Sequence, residues 1–186
     1  MSKNKESSIP FVGLHAHSVA GSIFDAIGYP PQHMDYAYEN GSRALALTDH
    51  GNMNGLAHQV LHAKKMQSEG KDFKPVFGIE AYFTPSIKDW KAEYERVKAE
   101  QDEEASKKAV KNVLNRRRHL ILLAQNQTGL NNLFKMVSES YQGDNYYRYP
   151  RMDFELLSKY SEGVIAASAC LGGVYAGNYW ENREQG

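Results

Sequence analysis

The chain has 186 residues, 22 basic and 22 acidic side chains, seven histidines and one cysteine, and 41% of it is hydrophobic. That suits one globular domain with a real core and argues against both a basic nucleic-acid-coating protein and a tail of one charge sign. Cys170 alone excludes an internal disulfide, and no run of about 18 apolar residues is present to span a bilayer. Met1 to Ser8 is polar, without the apolar stretch of a secretion signal. The expectation is a soluble, cytoplasmic protein without a membrane partner, whose residues 1–10 form a disordered tail.

Short β-like runs alternate with helical patterns. Phe11–Leu14 reads as a first strand. A helix opens near Pro30-Pro31, sets Met34, Ala37 and Tyr38 on one side, and meets Gly41 at a C′ position. Ala44–Thr48 is the next strand, and Leu56, Val60 and Leu61 mark a helix that ends near Gly70. Pro75–Phe83 and Leu120–Ala124 are strands. Leu130, Leu133, Phe134, Val137 and Tyr141 share the face of a helix that stops before Gly143. Phe154 to Tyr160 is helical, and Val164–Ala167 is the last strand. Alternation of this kind with near-continuous apolar strands predicts an α/β fold on a parallel sheet, open or closed into a barrel.

One stretch breaks the pattern. Lys88 to Arg118 carries ten basic and seven acidic side chains, which leaves the remainder with 12 basic and 15 acidic. An acidic remainder that handles phosphates needs another source of positive charge, and metal ions are the obvious one. Residues 86–118 read as a helical insertion, either a hairpin or one long helix. Ser86 can cap it with Asp89 three residues on, Trp90, Tyr94 and Val97 share a face, and Val110, Val113 and Leu114 form a second patch. The segment is either a solvated excursion or a contact arm for a partner or for DNA phosphates. Arg116-Arg117-Arg118 stands out because it lies directly against His119.

Three clusters carry chemistry. In Leu14-His15-Ala16-His17-Ser18, side chains at i and i+2 of a strand point the same way, so His15 and His17 offer two imidazoles to one side. Such nitrogen donors suit Zn²⁺, Mn²⁺ or Fe²⁺, although His-x-His alone is a weak pattern. Ala44-Leu45-Ala46-Leu47-Thr48-Asp49-His50-Gly51-Asn52 is an apolar strand ending abruptly in polar groups, at the edge where parallel α/β folds build their sites. Asp49 could equally orient His50 or cap a helix or turn rather than bind metal, and His50 could lie on the surface. Val76-Phe77-Gly78-Ile79-Glu80-Ala81-Tyr82 buries a glutamate inside an apolar strand, where Glu80 needs a cation or hydrogen-bond donors.

These blocks closely resemble the polymerase and histidinol phosphatase (PHP) domain, and more narrowly its version at the N-terminus of bacterial DNA polymerase III alpha subunits. Three later stretches are similar as well: His119-Leu120-Ile121-Leu122-Leu123-Ala124-Gln125-Asn126, Tyr146-Tyr147-Arg148-Tyr149-Pro150-Arg151-Met152-Asp153, and Ser161 to Cys170 leading into Leu171-Gly172-Gly173. The resemblance implies a distorted (β/α)7 barrel with two or three metal ions at its C-terminal mouth, Zn²⁺ or Mn²⁺, with Fe²⁺ or Mg²⁺ as further candidates. The implied ligands are His15, His17, Asp25, His50, Glu80 as the bridging carboxylate, His119 and Cys170. Glu80, His15 and His17 are the implied catalytic residues. The His17-to-Asp25 spacing is one residue longer than in the family. The family's closing Asp-x-His does not follow Cys170, and the predicted strands number five of seven, so the expectation is a truncated barrel within a longer polypeptide.

The activity implied is phosphoester hydrolysis serving 3′–5′ exonuclease proofreading or pyrophosphate removal beside a DNA polymerase, itself a nucleotidyltransferase. Its partners would be a single-stranded DNA 3′ end, the remaining polymerase segments and a proofreading subunit. The alternatives are a metal-stabilised structural module, a free-standing phosphatase for a small phosphomonoester, and an unrelated amidohydrolase. His58 and His62 have a zinc-protease spacing, but Gln59 stands where the motif needs glutamate. His33 reads as a surface residue, and Cys170 as a nucleophile would lack a fixed base. Tyr146, Tyr147 and Tyr149 with Arg148 and Arg151 could stack a base and hold a phosphate or simply pack.

Overall fold

The computed structural model describes residues 11–99 and 117–182. Residues 1–10 and the segment with Val110, Val113, Leu114 and Arg116 lie outside them. The elements in order are α1 (Pro30–Glu39), β1 (Ala44–Leu47), α2 (Leu56–Ser68), β2 (Lys74–Phe83), α3 (Ile87–Ala99), β3 (Arg118–Ala124) and α4 (Gln127–Ser140). A 3₁₀ turn (Gly143–Asn145), β4 (Tyr146–Tyr147), β5 (Tyr149–Met152), α5 (Phe154–Lys159), β6 (Val164–Ala167) and α6 (Val174–Asn182) follow. Among the described residues no helix is long and apolar enough to cross a membrane.

Local signals set the helix ends. Pro30 and Pro31 occupy the first turn of α1, and Ser42 N–H reaches back to Ala37 O across Gly41. Ser86 Oγ accepts from Asp89 N–H at 3.1 Å and so caps α3. Asn126 caps α4 by accepting from Gly129 N–H, and Asp153 caps α5 by accepting from Leu156 N–H. Each cap satisfies a donor that the first helical turn leaves orphaned.

The class is α/β, but the sheet is mixed rather than parallel. β2 pairs in parallel with β1 and antiparallel with β3, and β3 pairs antiparallel with β6. The reason lies in the connection. Phe83, the last residue of β2, faces Arg118, the first of β3. The charged segment therefore leaves and rejoins the sheet at one end, as a hairpin tip does, whereas a parallel crossover must carry the chain back to the other end. Along its opposite edge β2 takes β1, then a bridge from Glu80 to His50, then β5 at Tyr82 and Phe83.

The expected strand at Phe11–Leu14 is reduced to one parallel bridge, Gly13 to Leu45. Ala46 N–H donates to Gly13 O and Thr48 N–H to Ala16 O. Two residues of β1 thus span three of the N-terminal segment. The extra residue breaks the ladder and re-aims the side chains that follow, as a bulge does.

The core lies between the sheet and α4 and α5, where Ile79, Ala81, Leu122, Leu133, Met136, Met152 and Leu156 are buried together. A second cluster, Met34, Ala63, Met66 and Phe73, holds α1 and α2. The opposite face of the sheet buries Ala46, Ile121 and Leu123. Helix α4 seats so closely that a Cβ on Gly129 would lie 1.8 Å from Gly163 O. Gly129→Ala should therefore lower the unfolding free energy by about 1–3 kcal/mol, although alanine gains roughly 1 kcal/mol in an unobstructed helix. Leu133→Ala should cost about 2–5 kcal/mol, both changes being read by urea titration.

Candidate metal centre

Strand parity puts the chemistry on one face. In the β2–β3 register Glu80 faces Ile121 and Tyr82 faces His119, so Glu80, Tyr82, His119 and Ile121 project to one side. His50 arrives on the opposite edge through its bridge to Glu80. The bulged N-terminal segment delivers His15 and His17 from beside β1. Three segments thus converge on one carboxylate of β2.

Glu80 is 1% exposed. His15 Nε2 and His17 Nε2 each lie 3.0 Å from Oε2. His50 Nδ1 lies 3.2 Å from the same oxygen, and His119 Nδ1 lies 2.7 Å from Oε1. Despite these short distances, neither Glu80 Oε1 nor His50 Nδ1 has a partner in hydrogen-bond geometry. His15 Nε2 and Glu80 Oε2 are in hydrogen-bond geometry, whereas the unpartnered Glu80 Oε1 and His50 Nδ1 are lone-pair atoms that could hold a shared cation. Two sets of side chains could do so, His15–His17–Glu80 and His50–Glu80–His119, the ligand atoms of each lying within 4.8 Å of one another. Both include Glu80. The donor set, imidazole-rich with one carboxylate, fits Zn²⁺, Mn²⁺ or Fe²⁺ better than an all-oxygen ion such as Mg²⁺.

The electrostatics follow from this crowding. Burial alone would raise the Glu80 carboxyl, but His119, His17, His50 and His15 around it hold it well below the usual carboxylate range. Burial lowers His50, even against the pull of Glu80. His17 is also lowered by burial, but its hydrogen bond to Glu80 and the carboxylate charge outweigh that, so it stands above 6.5.

The two remaining expected ligands stand at the flanks. Asp25, half exposed, places Oδ2 2.7 Å from His50 Nε2, the ring nitrogen turned away from Glu80. Cys170 is exposed, with Sγ 3.6 Å from His119 Nδ1. Neither falls in the two ligand sets. Gly172 N–H donates to Cys170 Sγ and Gly173 N–H to Cys170 O, so those amides are engaged within the loop. His62 bonds Asp35 of α1 at 2.8 Å and His58 packs against Tyr29, which ties both to the α1–α2 contact.

The sequence suggests that Asp49 orients His50 or caps a turn, but not the serines of the network through which it does so. Asp49 Oδ1 accepts from Ser18 N–H at 2.6 Å and Ser22 Oγ–H at 2.9 Å. Its Oδ2 accepts from Ser18 Oγ–H at 2.8 Å. Ser22 Oγ in turn accepts from His50 N–H at 3.0 Å. The buried Asp49 therefore pins the His-bearing N-terminal segment to the end of β1. The available signal was its place beside His50 at a strand end; its serine partners lie some thirty residues away and leave no local trace. Gly51 completes the turn with φ +69°, where a Cβ would lie 2.8 Å from Pro150 Cγ.

Arg151 is also placed by the tertiary structure. It is fully buried, donates from Nη1 to Tyr147 O at 2.9 Å and lies 4.0 Å from the Trp90 ring centre. Burial and the neighbouring Arg117 lower it to about 10. Of the two outcomes expected for the tyrosine–arginine block, Arg151 takes packing.

A family profile for the PHP domain matches residues 13–182. The chain belongs to the PHP domain family. It is 36% identical over 164 residues to the DNA polymerase III subunit alpha of Aquifex aeolicus, and 37% identical over 164 residues to that of Borreliella burgdorferi. Each match covers 88% of this chain, which spans only 12% of those relatives' length. Among solved structures, a Bifidobacterium adolescentis protein provisionally described as a metal-dependent phosphoesterase superposes with TM-score 0.41 at 12% identity. That match covers 69% of this chain and 32% of the other, a likeness too distant to speak to chemistry.

Asp49→Ala should strip three buried hydrogen bonds and cost at least about 2 kcal/mol in chemical denaturation, and Ser22→Ala about 1 kcal/mol. If Asp49→Ala unfolds at the wild-type denaturant midpoint, the pinning role is wrong.

Proposed function

We propose that this chain is the N-terminal PHP domain of a replicative DNA polymerase alpha subunit and carries a metal-dependent phosphoesterase centre. The observation behind the proposal is the buried Glu80 carboxylate ringed by His15, His17, His50 and His119. In this reading Glu80 would be the shared ligand, holding metal with His15 and His17 on one side and with His50 and His119 on the other. Asp25 and Cys170 are the flanking ligands, as their contacts with His50 and His119 suggest. Glu80, His15 and His17 form the catalytic group.

When bound, such ions supply positive charge for phosphoryl oxygens and acidify an attacking water. The protein's residues do the rest. Glu80 stays ionised across the useful pH range, because the imidazoles hold its pKa down. Asp49, through Ser22 and Ser18, keeps the His-bearing segments in register, so the geometry is set before substrate arrives. In the reaction a water oxygen forms a bond to phosphorus and the bond to the leaving oxygen breaks. That oxygen takes the electron pair and then the proton that water has lost. The physiological form is 3′–5′ removal of nucleotides from single-stranded DNA or cleavage of pyrophosphate, in the context of the remaining polymerase and its proofreading partner.

Zn²⁺ or Mn²⁺ added to chelator-treated protein should raise the melting temperature, a free ion at about 100 Kd contributing about 2.7 kcal/mol. Glu80→Gln should abolish that rise. Binding should weaken as pH falls through neutrality. A proton on His17 must leave before its nitrogen can ligate, and the raised pKa of that imidazole strengthens the competition. Mn²⁺-dependent nucleotide release by the complete polypeptide should fall at least about 100-fold in His15→Ala, the usual scale for loss of a catalytic group. Unchanged release in that variant would refute the assignment. Stabilisation by metal with no hydrolysis in the wild type would favour the metal-stabilised structural module.

A further inference from the structure

The loop between His17 and α1 carries a feature that the metal centre does not use. Val19 N–H donates to Gly28 O at 3.0 Å and closes the loop at its neck. Within it Ser22 N–H donates to Ser18 O, and Asp25 N–H to Ser22 O. Asn52 Nδ2 donates to Gly21 O and to His50 O, both at 2.9 Å, and Asp49 holds Ser22. The loop is thus tied to the turn that bears His50, and Asp25 reaches across to His50 Nε2 at 2.7 Å. For all this bracing, the loop leaves its apolar side chains outside. Ile23, Phe24 and Ile27 are exposed, and Phe24 completely so.

Phe24 precedes Asp25 in the chain, with about 3.8 Å between their Cα atoms, so it stands at the rim of the centre. The tyrosine rings beside the centre are taken. Tyr82 packs against His50, His119 and Tyr149, and the Arg117 guanidinium lies over both Tyr82 and Tyr149. Of these three rings, Phe24 is the one with both faces open. Metal ligands recognise a phosphate but not what it is attached to. In a nucleotide the base is joined to its phosphate through one sugar, so a phosphate at the histidines brings its base to the rim. Stacking suits that rim, because it needs a flat apolar face and every base has one. The one charge of the loop, Asp25, is turned to His50. An aromatic side chain with two χ angles on a braced loop also loses little entropy when its partner arrives.

We propose that Phe24, flanked by Ile23 and Ile27, stacks on the terminal base of a single-stranded DNA end whose phosphate lies at the histidine cluster, and so selects a nucleotide end over phosphoesters without a base. This rests on the phosphoesterase reading of the same centre and names the part of the substrate that the ligand cluster itself cannot recognise.

The test uses the complete polypeptide and two 5′-fluorescein tetrathymidylates, one intact and one whose 3′-terminal residue lacks its base. With chelator present, anisotropy should show the intact strand bound about tenfold more tightly than the abasic one, the scale of one stacked base. Phe24→Leu keeps apolar bulk without a ring and should remove that preference, whereas Phe24→Tyr should retain it. With Mn²⁺, Phe24→Leu should lower kcat/KM for the intact strand about tenfold and leave the abasic strand unchanged. Both variants should melt at the wild-type temperature, because the side chain is wholly exposed. An equal preference for the intact strand in wild type and Phe24→Leu overturns the proposal, as does an equal loss on both strands. A lowered melting temperature in Phe24→Leu with base preference unchanged also overturns it, and assigns the patch to a protein contact instead. Absence of Mn²⁺-dependent turnover in the wild type would refute the phosphoesterase reading, while the anisotropy arm still decides the role of Phe24.

Discussion

The structure is organised around a carboxylate that water cannot reach. Glu80 sits mid-strand with 1% exposure, in a chain that could have placed an alanine there at no cost. Burying an ionised carboxylate is expensive unless opposite charge or donors surround it. Here four imidazoles from three chain segments do so, and burial that would raise the carboxyl is overcome by them. The same contacts that keep Glu80 charged tie the N-terminal segment, the end of β1, β2 and β3 into one unit. Cohesion of this side of the sheet and the capacity to hold cations therefore have a single origin.

The surroundings solve the problem of holding those imidazoles still. A bulge turns His15 and His17 inward, and the Asp49–Ser18–Ser22 network locks that segment against β1. On the other side a platform of Tyr82 and Tyr149 rests on the buried Arg151 and the Trp90 ring of α3. The first turns of the charged segment are thus structural. Trp90 packs against the guanidinium that holds the β4–β5 hairpin, and that hairpin abuts the turn after His50.

Much of the centre was legible because its residue types sit at strand ends or break an apolar run. His15, His17, His50 and Glu80 were each noticed for such a local reason and His119 through resemblance, and the structure brings all five within contact distance. Asp25 and Cys170 came from resemblance, and they stand next to the cluster rather than in it. The strand at Phe11–Leu14 is reduced to a bridge because apolar composition does not fix register, and the register here carries one extra residue. The short β4, β5 and α6 left too few residues for a period to show.

By itself the sequence determined the helix starts and stops, the apolar strands and the chemical types of the side chains that meet. Those are properties of a few neighbouring residues. The tertiary structure alone decided that β3 runs against β2, that Asp49 serves two serines, and that one arginine of a basic run lies across two tyrosines while Arg151 is buried beneath them. Each of those depends on the distance between groups far apart along the chain, which only packing of the whole sheet can set.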